Sequence, residues 1–178
     1  FLAKLSTLEE IIVGSPTAGR RHADLGHIIG MFVNTLALYN YPSGEKTFEL
    51  FLKEVKKRTL GAFENQDYPF EDLVKNAAVE RDMGRNPLFD AMFVMQNIFD
   101  PAPVTPGQEL EEIKIKPHPL EYREAKFDLT LIAAEMENRL VFSFEYCTKL
   151  FNESTIQRFV NYFKAIVLAV NWPPQAPA

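Results

Sequence analysis

Between residues 47 and 64 the apolar side chains Phe48, Phe51, Leu52 and Val55 recur at intervals of three and four, with Lys53, Glu54, Lys56 and Lys57 on the other face. That period puts one helix face against a core and the other in water, and it predicts an amphipathic helix over 47–64 with Thr47 as its N-cap. The spacing returns near the C-terminus, where Ile156, Phe159, Val160, Phe163, Ile166, Val167 and Val170 form a stripe opened by Asn152 or Ser154. A shorter helix is expected over 71–78, just after Pro69.

Elsewhere the period falls to two. Phe127, Leu129 and Leu131 alternate with polar residues, Glu137-Asn138 supplies a turn, and Leu140, Phe142, Phe144 and Tyr146 alternate again, so this stretch reads as a hairpin. Apolar runs at 11–14, 31–38 and within "PLFDAMFVMQNI" predict further strands, and "IKIKPHPL" predicts an edge strand. "YPSG" ends the second strand, and "DPAPVTPGQE", with three prolines in ten residues, is a loop. About six strands and three helices are expected, packed as a sheet with helices on one face. One run breaks the pattern: Asn34 and Thr35 interrupt "MFVNTLAL", where a core strand seldom places an amide beside a hydroxyl.

Composition sets limits. The 178 residues are 47% hydrophobic, enough for one domain that buries roughly 70% of its unfolded surface. Fifteen phenylalanines make the core aromatic, and the net charge of −5 argues against a nucleic-acid or anionic-membrane partner. The lone Cys147 excludes an internal disulfide and fits a reducing, cytoplasmic setting. No apolar run approaches the ~20 residues of a membrane span, and "FLAKLSTLEE" carries no signal-peptide pattern. A start at Phe1 rather than Met reads as a chain cut from something longer.

Chemistry is sparse. His22, His27 and His118 have no carboxylate or cysteine at triad or metal-site spacing, and no phosphate-loop, dinucleotide, C-x-x-C or H-E-x-x-H pattern occurs. Asp67, Glu71 and Asp72 cluster at a helix start, where the helix dipole accounts for them. No self-contained catalytic centre and no metal site is expected.

Three stretches in order, "IIGMFVNTLALYN", "ENQDYPFEDLV" and "RDMGRNPLFDAMFVMQN", resemble consecutive core motifs of the condensation domains of nonribosomal peptide synthetases. "IIVGSPTAGRRHADL" before them and "KFDLTL" after them resemble the same family. The resemblance implies a chloramphenicol-acetyltransferase-like half-domain of α/β class: an α+β two-layer sandwich whose mixed sheet carries helices on one face. Such domains pair two halves across a tunnel, and their H-H-x-x-x-D-G motif is in the first. This chain has no such motif, so it is expected to be the C-terminal half over 1–172, with 173–178 as tail or linker, and to be inactive alone.

The implied reaction is acyl transfer, forming an amide between aminoacyl or peptidyl thioesters on carrier proteins, so the chain is part of an acyltransferase. No cofactor is expected on the chain itself; phosphopantetheine arrives on the carriers. The implied partners are the N-terminal half, peptidyl carrier proteins and an adjacent adenylation domain. A non-catalytic recruitment domain and a CoA-dependent acyltransferase are the alternatives.

The resemblance also assigns residues. Arg20 matches an arginine that pairs with the aspartate of the histidine motif and so supports the catalytic loop. Without that aspartate, replacing Arg20 in this chain alone is expected to leave its melting temperature almost unchanged. Asn34, Thr35, Gln96 and Asn97 are candidates for the tunnel wall, while for Asn34 and Thr35 backbone bonding at a strand irregularity stands as an equal reading. Asp67 is expected to cap the helix after Pro69, and Arg81, Asp82, Arg85 and Asp90 to form ion pairs. The face left by a missing half should be apolar around Met31, Phe32 and Val33, and should favour self-association.

Overall fold

The pairing registers of the strands show which side chains share a face of the sheet. The computed structural model describes residues 1–77, 85–96, 124–136 and 139–170. Among these, strands β1 (Ile11–Thr17), β2 (Asn34–Asn40), β3 (Ala91–Gln96), β4 (Leu129–Met136) and β5 (Arg139–Tyr146) form one sheet in the order β2-β1-β3-β4-β5. The β1/β2 and β4/β5 pairs are antiparallel and the β1/β3 and β3/β4 pairs parallel, so the sheet is mixed. Helices α1 (Leu2–Ser6), α2 (Phe48–Glu64), α3 (Phe70–Asn76) and α4 (Glu153–Ala169) join it, with a 3-10 turn at Ala23–His27. The chain leaves β2 at the sheet edge, passes through α2 and α3, and returns beside β1 as β3, the kind of crossover a parallel step requires.

Val13 stands opposite Leu38, and Leu131 opposite Phe144, which puts these residues on one face. Both long helices pack there. Phe163 of α4 meets the rings of Phe142 and Phe144 at 5.2 and 5.8 Å. Phe51, Val55 and Phe63 of α2 line, with Val13 and Leu38, an apolar groove of about 1240 Å³ that runs across β1, β3 and β4 toward Phe163. On the other face Gly14 leaves a gap: a Cβ there would lie 2.2 Å from Cε2 of Phe89. Phe89 fills that gap, 4% exposed, with the rings of Phe70 and Phe127 each 5.7 Å away.

The helical periods hold. Thr47 caps α2 through a hydrogen bond from the Leu50 N–H at 3.3 Å, and Lys46 and Glu54 pair at 2.6 Å across its first turns. Asn152 is the N-cap of α4, without a side-chain bond.

Several boundaries differ, each for a tertiary reason. The first strand runs to Thr17 rather than ending at Gly14. Among the described residues β1 pairs with β3 at Gly14–Met92 alone, and Pro16, which has no N–H to give, falls beyond that point. The second strand begins at Asn34, not Met31: Asn34 pairs with Thr17, the last residue of β1, and residues 31–33 have, among the described residues, no strand opposite them. α3 opens at Phe70 with Pro69 as N-cap, and Asp67 does not cap it, since its carboxylate pairs with Arg21 at 2.9 Å. α1 was not foreseen; its N-cap is Phe1, whose ring sits against Phe144, Phe159 and Phe163 at 5.8–6.2 Å. Met136 faces Arg139, as a turn at Glu137-Asn138 requires, although those two residues lie outside the described ones. The expected loop "DPAPVTPGQE", the sixth strand "IKIKPHPL", the Arg81 and Asp82 ion pairs and the boundary at 172 lie outside them too. Among the described residues no helix is long and apolar enough to cross a membrane.

Candidate functional site

β1 ends at Thr17 because Gly19 turns the chain at φ +64°, where a Cβ would also come within 1.9 Å of the Phe32 carbonyl oxygen. Arg20 follows and organises the loop that leads to β2. Its Nη1 donates to the carbonyls of Leu25 and Ile28, the latter at 2.9 Å, and its Nη2 to that of Gly30 at 3.0 Å. The guanidinium carbon lies 4.3 Å from the centroid of the Phe32 ring. Its Nε–H has no partner among the described residues. With the backbone held this way, Ile29 and Met31 stand 101% and 92% exposed, and Ile28 and Val33 are exposed as well.

These bonds give Arg20 local partners in the isolated chain, beside the motif aspartate on which the sequence expectation rested. Arg20→Ala removes three charge-assisted bonds and a cation–π contact from a partly exposed loop, at a cost of about 1–2 kcal/mol, or roughly 2–8 °C in melting temperature. Calorimetry of the variant, with hydrogen exchange at residues 23–33, checks this. An unchanged melting temperature would show that the loop orders itself without the clamp.

Asn34 is fully engaged. Its Nδ2 donates to the carbonyls of Gln66 at 2.7 Å and Tyr68 at 2.9 Å, and its Oδ1 accepts the Thr35 N–H at 2.9 Å. Beside it the Thr17 hydroxyl donates to Oε1 of Gln66 at 2.6 Å, and Arg21 donates to the Glu64 carbonyl at 3.2 Å. Thus "FVNTL" and "ENQDYPF" are bonded to each other, and of the two readings for Asn34 the backbone one accounts for both its N–H donors. Thr35 stands opposite Pro16, on the face away from Thr17, so the two polar side chains do not share a wall. Gln96, at the exposed end of β3, lines the groove with Thr17 and Met95. Asn97 lies outside the described residues. Thr17 and Gln66 were not singled out in the sequence, where nothing marks a pairing across 49 positions.

At the other end of β3 and β4 the charges converge. Arg85 lies 3.7 Å from Asp90, and the Asp128 N–H donates to the Asp90 carbonyl at 3.0 Å. Burial, then the neighbouring Asp90 carboxylate, pushes the Asp128 carboxyl above its ordinary value, while Arg85 pulls the other way. A raised carboxyl means the folded state binds its proton more tightly, so the charge costs stability once pH rises past the ordinary carboxylate range. Asp128→Asn should therefore raise the melting temperature slightly at pH 7 and leave it unchanged below pH ~3.8, where the aspartate is protonated in both states. Thermal scans across that interval test the sign; a loss at pH 7 would mean that the carboxylate holds a favourable partner.

Among the described residues no cluster of three or more His, Cys, Asp or Glu could hold a metal ion. His22 and His27 are exposed, His22 within 3.2 Å of Asp24, and His118 lies outside the described residues.

Comparison with known proteins gives these arrangements a context. The family profile of the condensation domain matches residues 1–178. The chain is 52% identical over 177 residues to surfactin synthase subunit 1 of Bacillus subtilis (strain 168), and 49% identical over 172 residues to gramicidin S synthase 2 of Brevibacillus brevis. Those alignments cover 99% and 96% of this chain, but it spans only 5% and 4% of the two synthases. Among solved structures, a four-domain nonribosomal peptide synthetase bound to AMP and glycine matches with a TM-score of 0.82 at 22% identity, over 98% of this chain and 14% of that one. The condensation domain of the Monacolin K polyketide synthase matches with a TM-score of 0.74 at 18% identity, over 97% of this chain and 39% of that one. At those identities the structures speak for the fold, and the synthases, near half identical, speak for the family. The chain belongs to the condensation domains of nonribosomal peptide synthetases.

Proposed function

We propose that this chain is the C-terminal part of a condensation domain whose other part carries H-H-x-x-x-D-G. The whole domain joins aminoacyl or peptidyl groups held as thioesters on peptidyl carrier proteins. The amine of one carrier-bound residue attacks the thioester carbonyl of the other. A C–N bond forms, the C–S bond breaks, and the amine proton passes by way of the histidine of the other part to the departing thiolate, which leaves as the thiol of its phosphopantetheine arm. The observation that carries this reading is one of extent: the chain folds as a unit matching 39% of a condensation-domain chain, and its sequence has no H-H pair.

In this reading the chain positions rather than reacts. Arg20 receives the aspartate of the histidine motif, an always-charged partner for a carboxylate removed from water. Gln96 and Thr17 stand at one end of the apolar groove, where a pantetheine arm needs amide partners. Phosphopantetheine arrives on the carriers, and an adenylation domain next in the chain loads them. The lone Cys147 supports a reducing compartment, the cytoplasm.

Complementation tests the proposal. The purified chain is mixed with a segment bearing H-H-x-x-x-D-G and with two loaded carrier proteins. Amide formation at the rate of an assembled domain is expected only with both segments present; that rate from this chain alone, or no product from the mixture, overturns the reading.

A further inference from the structure

The loop that carries Arg20 leaves the sheet at Thr17 and re-enters it at Asn34, and these two residues pair across β1 and β2. Both are tied to one residue of the α2–α3 connection. Thr17, 7% exposed, donates its hydroxyl to Oε1 of Gln66 at 2.6 Å. Asn34 Nδ2 donates to the Gln66 carbonyl at 2.7 Å and to the Tyr68 carbonyl at 2.9 Å. Gln66 is itself held to the end of α2, its Nε2 donating to the Phe63 carbonyl at 2.9 Å. Arg21 adds a further tie, through the Glu64 carbonyl and the Asp67 carboxylate.

Two clamps therefore act on one loop. Arg20 gathers its interior through the carbonyls of Leu25, Ile28 and Gly30, which sets the loop's shape. Thr17 and Asn34 fix its two ends against the α2–α3 connection, which sets where that shape stands relative to the sheet. An asparagine suits the second task. Its amide turns two N–H donors on two carbonyls while Oδ1 accepts the Thr35 N–H at 2.9 Å, so all three bonds hold one side-chain orientation. We propose that Asn34 is a positioning residue for the condensation reaction and that it acts through Arg20. By fixing the ends of the loop it fixes where the Arg20 guanidinium meets the aspartate of the histidine motif. This role rests on the functional reading above, in which Arg20 receives that aspartate; Asn34 itself touches no reacting atom.

Asn34→Asp tests it, since it keeps the size of the side chain and turns both donors into acceptors facing carbonyls. The first measurement needs only this chain. The N–H groups of Leu25 and Ile28 bond to the carbonyls of His22 and Leu25 and so report the order of the loop. Their hydrogen exchange should quicken about tenfold in the variant, with little change in β4 and β5. In the complemented domain kcat should fall by about 10–10²-fold while KM for the loaded carriers stays close to its unsubstituted value. In an Arg20→Ala background Asn34→Asp should lower kcat little further, because the group it positions is already gone. Thr17→Val removes one hydroxyl donor and should give the same pattern more weakly; it decides the matter if Asn34→Asp does not fold. Quickened exchange confined to residues 65–68, with Leu25 and Ile28 unchanged, overturns the proposal. So does an equal loss of kcat in the Arg20→Ala background. A full rate from Asn34→Asp beside an active unsubstituted mixture strikes this inference alone, whereas no product from the unsubstituted mixture strikes the functional reading together with it.

Discussion

Phe89→Ala is expected to destabilise the fold by about 3–5 kcal/mol, lowering the melting temperature by roughly 6–20 °C. Phe89 is 4% exposed and lies between the rings of Phe70 and Phe127, joining the start of α3 to the entries of β3 and β4. Truncation removes the ring from water-free surroundings and leaves a cavity that the sheet cannot collapse into, because strand spacing is fixed by the ladder. Gly14 offers a check. A methyl at Gly14 would stand 2.2 Å from the Phe89 ring, so Gly14→Ala should be costly alone and much less so with Phe89→Ala. Denaturant titrations of the four proteins measure that coupling. Additive losses would show that the ring and the bare glycine do not share one space.

The second large effect concerns turnover. The chain alone is expected to form amide ~10²–10⁴-fold more slowly than the assembled domain, the usual worth of a positioned acid-base group. The deficit should exceed that range if the groove alone cannot align both thioesters, since alignment contributes separately. In the complemented enzyme Arg20→Ala should lower the rate as well as the stability. Arg20→Lys should not restore it, because an ammonium cannot supply the planar fork that donates to the carbonyls of Leu25, Ile28 and Gly30. Mass-spectrometric product formation under single-turnover conditions separates the cases. A full rate with Arg20→Lys would reduce Arg20 to a simple positive charge.

The sequence by itself determined the parts whose buried face is local. A helix that meets the core along one stripe must repeat its apolar residues every three or four positions, and α2 and α4 do. A strand half-covered by α4 must alternate, and β5 does, with Phe142 and Phe144 toward α4 and Arg139, Ser143 and Glu145 away from it; β4, which buries residues on both faces, runs apolar through Ile132, Ala133 and Ala134. Thr47 was readable as a cap because its partner, Leu50, is three residues away. The consecutive motifs were enough to indicate the family. Only the tertiary structure decided the strand order, where β2 begins and what Asn34 does, because each depends on partners far along the chain. Asn34 bonds to carbonyls 32 and 34 residues away, and β2 starts at Asn34 because β1 stops at Thr17. Asp67 had the composition of a cap, but Arg21, 46 residues earlier, lies within reach of its carboxylate. A residue's own period reports which way it faces, whereas its partner is set by how distant segments close on one another, and no local pattern records that.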